Sequence, residues 1–101
     1  MNELLRSIER TIKNLGKIRR SQSPPSREIT NKLISLRTLE QELISVEIDK
    51  NTDKYKAAIT SLSKAIKETK NVIDKLTKVD LAIKEVSDAI EIISKLKAKK
   101  D

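Results

Sequence analysis

Cysteine and histidine are both absent from this chain of 101 residues. With them go disulfides, thiolate nucleophiles, Cys/His zinc sites and imidazole acid–base chemistry, so a free-standing enzyme is not expected and no cofactor is implied. Aromatic residues are reduced to Tyr55, glycine to Gly16, and proline to Pro24 and Pro25. A β-sandwich or barrel needs a turn signal roughly every 8 to 12 residues, and these few letters do not supply them. No run approaches the roughly 18 apolar residues of a membrane span. The opening MNELLRSIER lacks the apolar segment of a signal peptide. The expectation is a soluble chain, cytoplasmic by default, although zero cysteine is equally compatible with export that uses no cleaved signal.

What the chain has in quantity is charge and branched aliphatic side chains. Charged residues make up 37% and apolar residues another 37%, and Lys plus Arg outnumber Asp plus Glu by 22 to 15, a net charge of +7. Of the apolar set, 29 are Ile, Leu or Val, far too many for a disordered tail. The length suits a single domain. The composition makes that domain all-α.

Leu5, Ile8, Ile12 and Leu15 recur at spacings of three and four, with Leu4 and Ile18 beside them, which predicts a first helix over about residues 2 to 20. The segment 21–26, SQSPPS, breaks it, because residues before proline leave the α region and the serines offer N-caps. A second helix is expected over about 27 to 49 on Ile29, Leu33, Leu36 and Leu43. Ile34, Leu39, Val46 and Ile48 widen its apolar arc, as suits a helix at the centre of the packing. The polar run Asp49 to Asp53 reads as a tight turn, with Asn51 as a left-handed C-cap and Thr52 as an N-cap. A third helix over about 53 to 76 carries Tyr55, Ile59, Leu62, Ile66, Ile73 and Leu76 with Ala58 and Ala65, and places Thr69 in its one polar position.

The alternation then slips by one residue, resuming at Val79 instead of Asp80 and running through Ile83, Val86, Ile90 and Ile93. No Gly, Pro or Asn lies between Leu76 and Leu81. A C-terminal helix over about 78 to 98, continuous or kinked, is therefore favoured over a reversal; a reversal would use Thr77 and Asp80 as a capping box. The fold class is all-α: an antiparallel hairpin of helices 2 and 3 folded at Asn51, or a small three- or four-helix bundle, with coiled-coil-like packing.

Charge is concentrated as well as abundant. Arg6, Arg10, Lys13, Lys17 and Arg20 form a continuous stripe almost opposite the apolar face of the first helix, and residues 1–26 hold six Lys/Arg against two Glu. An acidic protein groove, a nucleic-acid backbone and an anionic membrane surface all suit such a stripe, as does plain solvation. The absence of Trp and Phe weakens the membrane reading, and the absence of stacking aromatics or a helix-turn-helix pattern weakens base reading. Asp49, Asn51 and Asp53 open like a calcium loop, but Lys54 and Thr60 stand where Gly and a bidentate Glu are required. Glu40, Glu42 and Glu47 lack the paired geometry of acid–base catalysis, with Glu40 set inside the apolar stripe, and Ser61, Ser63 and Lys64 lack an oxyanion partner. Tyr55 is expected to close the end of the core with its hydroxyl in water.

The function expected first is a non-catalytic protein-protein interaction module, of the adaptor, chaperone, immunity or secretion-partner type, that lays amphipathic helices against another protein or a second copy of itself. Its apolar contact residues would be Val79, Ile83, Val86, Ile90 and Ile93, with surplus aliphatics at Ile34, Ile48, Leu81 and Ile92. The alternative is electrostatic binding of nucleic acid or an acidic membrane surface through Arg6, Arg10, Lys13, Lys17 and Arg20. Neither reading involves a metal, a cofactor or a small-molecule substrate.

Overall fold

The computed structural model describes residues 3–22, 26–46 and 48–98, the side chains of 97 and 98 apart. Pro24, Pro25, Glu47 and the tail lysines Lys99 and Lys100 lie outside the described residues. Four helices follow one another: α1 Glu3–Ser21, α2 Arg27–Ile44, α3 Asp53–Ile73 and α4 Val79–Ala98. No strand occurs among the described residues. The chain is a four-helix bundle of 42 × 21 × 21 Å.

Each helix is started or closed by residues suited to that place. Glu3 in the first turn of α1 and Arg19 and Arg20 in its last complement the helix dipole. Ser26, with extended backbone, accepts from the Ile29 N–H at 3.3 Å and caps α2. Thr52 does the same for α3, accepting from Tyr55 N–H at 3.2 Å. These caps satisfy donors that a helix N-terminus otherwise leaves open.

The packed pairs are α3 with α4, α1 with α3, α1 with α2, and α2 with α4. The Asn14 amide, late in α1, donates to the Thr69 hydroxyl and the Ile66 carbonyl, late in α3. Those bonds place α1 and α3 side by side and running the same way, while α2 and α4 return in the opposite sense. An antiparallel hairpin of helices 2 and 3 is therefore not what forms: they stand on a diagonal, and the hairpins are α1–α2 and α3–α4. The described residues 45–46 and 48–52 lie between these two diagonal helices. A link between diagonal helices is why α2 stops at Ile44, short of the expected 49. Ile48 lies half-buried against the core in that segment, and the Asp49 carboxylate accepts from Asn51 N–H at 2.9 Å. Asn51 is not left-handed, since Lys75 alone among the described non-glycine residues has a positive φ.

Small residues explain the tightest pairing. Ala58 and Ala65 on α3 and Ala82 and Ala89 on α4 are fully buried, each pair one heptad apart. Without bulk at the contact two axes approach at the short end of the usual range, about 8 Å. Leu62, Val86 and Ile93 fill the space beside them, and Leu4, Ile8, Leu15, Ile29, Leu36 and Leu43 complete the core from the other hairpin.

The phase slip after Leu76 is a true reversal, neither a kink nor a continuous helix. Lys75 adopts φ 62°, its N–H donates to the Val72 carbonyl at 2.9 Å and the Leu76 N–H reaches back to Asn71 at 2.8 Å. This paired closure ordinarily uses Gly or Asn in the left-handed position. Packing of α4 against α3 imposes the turn on a lysine. Thr77 does not form the capping box, its buried hydroxyl having no hydrogen-bond partner. A β-carbon in this conformation costs about 1–2 kcal/mol, so Lys75→Gly is expected to stabilise the bundle by about 1 kcal/mol after the entropy of glycine is counted. Thermal melting followed by circular dichroism would show a rise of about 4–8 °C for that gain; an unchanged or lower midpoint contradicts the strain.

Candidate functional site

The apolar stripe expected to receive a partner lies on the inner side of α4. Val86 and Ile93 are fully buried, and Val79, Ile83 and Ile90 are half-buried against the same core. The out-of-phase pattern arises because α4 is a separate helix after a turn, with its own face to bury. Of the surplus aliphatics, Ile48 and Ile92 also pack on the core. Ile34 and Leu81 remain exposed, together with Ile44, Val46 and Leu76. These five are distributed over α2, the ends of the bundle and the start of α4, and single exposed aliphatics are ordinary on a folded surface.

The basic stripe is fully on the surface: Arg6, Arg10, Lys13, Lys17 and Arg20 are all exposed, opposite the buried Leu4, Ile8, Leu15 and Ile18. None of the five makes an ion pair among the described residues; the ion pairs found there are Lys70–Asp74 at 3.1 Å and Lys84–Asp88 at 3.5 Å. Arg19, off the stripe, donates to the Thr30 hydroxyl on α2 at 2.9 Å.

Packing α1 parallel to α3 adds a second row. Lys56 shares a shallow groove with Glu3 and Tyr55 at the start of both helices, so it lies on the α1 side of α3. Lys67 and Lys70 fall within about 40° of it around the helix, and all three lysines are exposed. Lys64 instead turns towards Glu85 and Asp88 of α4. Arg6, Arg10 and Lys17 thus flank Lys56, Lys67 and Lys70 across one face, while Lys13 and Arg20 continue the row round its edge towards α2. Glu3 and Asp53 stand at one end of this face and Asp74, paired with Lys70, at the other, while Glu9 lies beside Arg6, Arg10 and Lys13 on its α2 edge. By sequence α1 holds six Lys/Arg against two Asp/Glu and α3 five against two, whereas α2 balances three with three and α4 has three against four. Nearly all the excess positive charge therefore sits on two adjacent helices.

The α3 lysines were not legible as partners of the stripe. Their spacing marks one flank of α3, but only the α1–α3 contact brings that flank level with Arg10 and Lys17. The seam between the rows is fixed by polar groups: Thr11 and Thr69 are fully buried, the Thr11 hydroxyl donating to the Ser7 carbonyl at 2.9 Å and that of Thr69 to Ala65 at 2.8 Å while accepting from Asn14 at 3.0 Å. Of these, the Asn14–Thr69 bond crosses between the helices and sets their register.

On the α2 side of α1, a shallow groove lined by Arg6, Glu9, Arg10, Ile12 and Lys13 receives Glu40. Burial pushes the Glu40 carboxyl above its ordinary 4.5, and the adjacent carboxylate of Glu9 adds to the shift, with Arg37 partly opposing it. A raised folded-state value means that the charged form is disfavoured in the fold. Stability is then fully kept below about pH 4.5 and falls as the pH rises through the raised value. Glu40→Gln is expected to melt a few degrees higher than the parent at pH 7 and level with it at pH 4. A parent midpoint unaffected by pH across that window would contradict this.

Tyr55 departs from expectation. It is 6% exposed, and its hydroxyl is enclosed with no hydrogen-bond partner beside the start of α1. Burial, then the Glu3 carboxylate, raises its pKa above 10.0, the Leu4 backbone opposing. The one aromatic is therefore unavailable at the surface. The chain matches no protein-family model, no curated protein and no solved structure.

Proposed function

We propose that this chain is a non-catalytic binding module that holds nucleic acid by its phosphate backbone, on the face built by α1 and α3. The observation that carries this reading is the double row of exposed cations, with Glu9 set at its α2 edge and no exposed large aliphatic within it. A protein interface of useful affinity has a desolvated apolar or aromatic centre, and lysine is depleted there. A membrane surface would require apolar or aromatic side chains among the cations. Phosphates require neither, because release of their condensed counterions supplies the driving force.

The interaction-module reading through Val79, Ile83, Val86, Ile90 and Ile93 has less to support it, since the bundle itself occupies those side chains. An acidic protein surface is the competitor for the basic face. The test is fluorescence anisotropy with labelled DNA and RNA, and with labelled poly-L-glutamate, from 50 to 200 mM salt, on the order of the range over which phosphate contacts weaken steeply. Nucleic-acid binding with a steep negative salt slope is expected. Binding of poly-L-glutamate alone would transfer the face to an acidic protein partner, and binding of neither would overturn the reading.

A further inference from the structure

Resting on the nucleic-acid reading, we infer that the α1–α3 face is built for a duplex and not for a single strand. The two rows, Arg6 to Arg20 on α1 and Lys56 to Lys70 on α3, each span about 21 Å at the helical rise of 1.5 Å per residue. The Asn14 bonds to Thr69 and Ile66 fix their register, with the α3 row displaced by about one helical turn, roughly 5 Å, towards the start of α1. Packed helix axes lie about 8–10 Å apart, the same scale as the grooves of B-DNA, about 6 and 12 Å wide. Two cation rows side by side on that scale can contact phosphates of both strands at once. The rows stand on two packed helices whose seam is tied by the Asn14 bonds, so they are held ready for a stiff ligand.

A single strand makes a different demand. Proteins that hold it without reading sequence stack its bases on exposed aromatic rings, and the sole aromatic here, Tyr55, is 6% exposed with its hydroxyl enclosed. Charge alone also favours the duplex, whose phosphates are denser and release more counterions for each one neutralised than those of a single strand. The face therefore reads the double row of phosphates, without dependence on base sequence.

The experiment compares the full chain binding a labelled duplex of about 20 base pairs, roughly two turns at about 10 per turn, with one strand of that duplex. A duplex of unrelated sequence and the variant Lys56→Gln/Lys67→Gln/Lys70→Gln complete the set. Expected are at least tenfold tighter binding of either duplex than of the single strand, and a salt slope near −5 that the variant reduces by about 3, close to 0.9 for each phosphate no longer neutralised. A single strand bound as tightly as the duplex overturns this inference while leaving the nucleic-acid reading intact. So does a duplex slope that the α3 variant leaves unchanged. Failure to bind any nucleic acid overturns both.

Discussion

Replacing Val86 by Asp is expected to unfold the protein. Val86 is fully buried on the inner face of α4, in the same core cluster as Leu62, Ala89 and Ile93. A carboxylate there has no cation to pair with among the described residues, since the described lysine side chains of α3 and α4 are exposed. An unpaired buried charge belongs to the small class of substitutions that cost more than about 4–5 kcal/mol. Domains of this size have only about 5–15 kcal/mol in total. The far-ultraviolet helical signal should collapse at room temperature or melt tens of degrees early. Leu81→Asp, nearer the start of α4 and 48% exposed, should change stability by no more than about 0.5 kcal/mol. If the Val79–Ile93 stripe were a free docking surface, the two variants would be equally folded, and Val86→Asp would lose only assembly on size exclusion. A folded Val86→Asp would thus reinstate the stripe as an interface.

That contrast also marks where the sequence was sufficient. The helical class, the caps at Ser26 and Thr52, and the apolar faces of α1 and α3 follow from local spacing and composition, which act over one or two turns. The helix-to-helix arrangement does not. Thr69 and Asn14 gave no sign of being partners, because their bond depends on α1 and α3 being parallel neighbours. The reversal at Lys75 was missed for a related reason: local propensity puts Gly or Asn in a left-handed position, and packing of α4 against α3 overrides it. Ala58, Ala65, Ala82 and Ala89 were the available clue, two heptad-spaced pairs of small residues that only make sense as a close helix contact. Read that way, the slip from Leu76 to Val79 becomes a turn, and Val79, Ile83, Val86, Ile90 and Ile93 become core positions. The same missing information hid half of the basic face, since Lys56, Lys67 and Lys70 join the α1 stripe only once α3 lies beside it.

Neutralising three members of the α1 row, Arg10→Gln/Lys13→Gln/Lys17→Gln, is expected to weaken nucleic-acid binding by about 100-fold at about 0.15 M salt while leaving the fold intact. All three side chains are exposed and none is ion-paired among the described residues, so stability should stay within about 0.5 kcal/mol of the parent, if anything higher for the relief of like-charge repulsion. The affinity figure follows from counterion release. Each neutralised phosphate contributes about 0.9 to the slope of log affinity against log salt; carried from about 1 M down to 0.15 M that is roughly a fivefold factor for each cation, and three of them multiply. The penalty must therefore grow at lower salt and vanish near 1 M, a signature that removal of an ordinary hydrogen bond would not produce. Lys84→Gln, which removes an exposed cation on α4, away from the α1–α3 face, should change neither affinity nor slope. Equal weakening by the α1 triple variant and by Lys84→Gln would mean that the protein responds only to its net charge. Weakening confined to the α1 variant ties binding to the place where the bundle concentrates that charge.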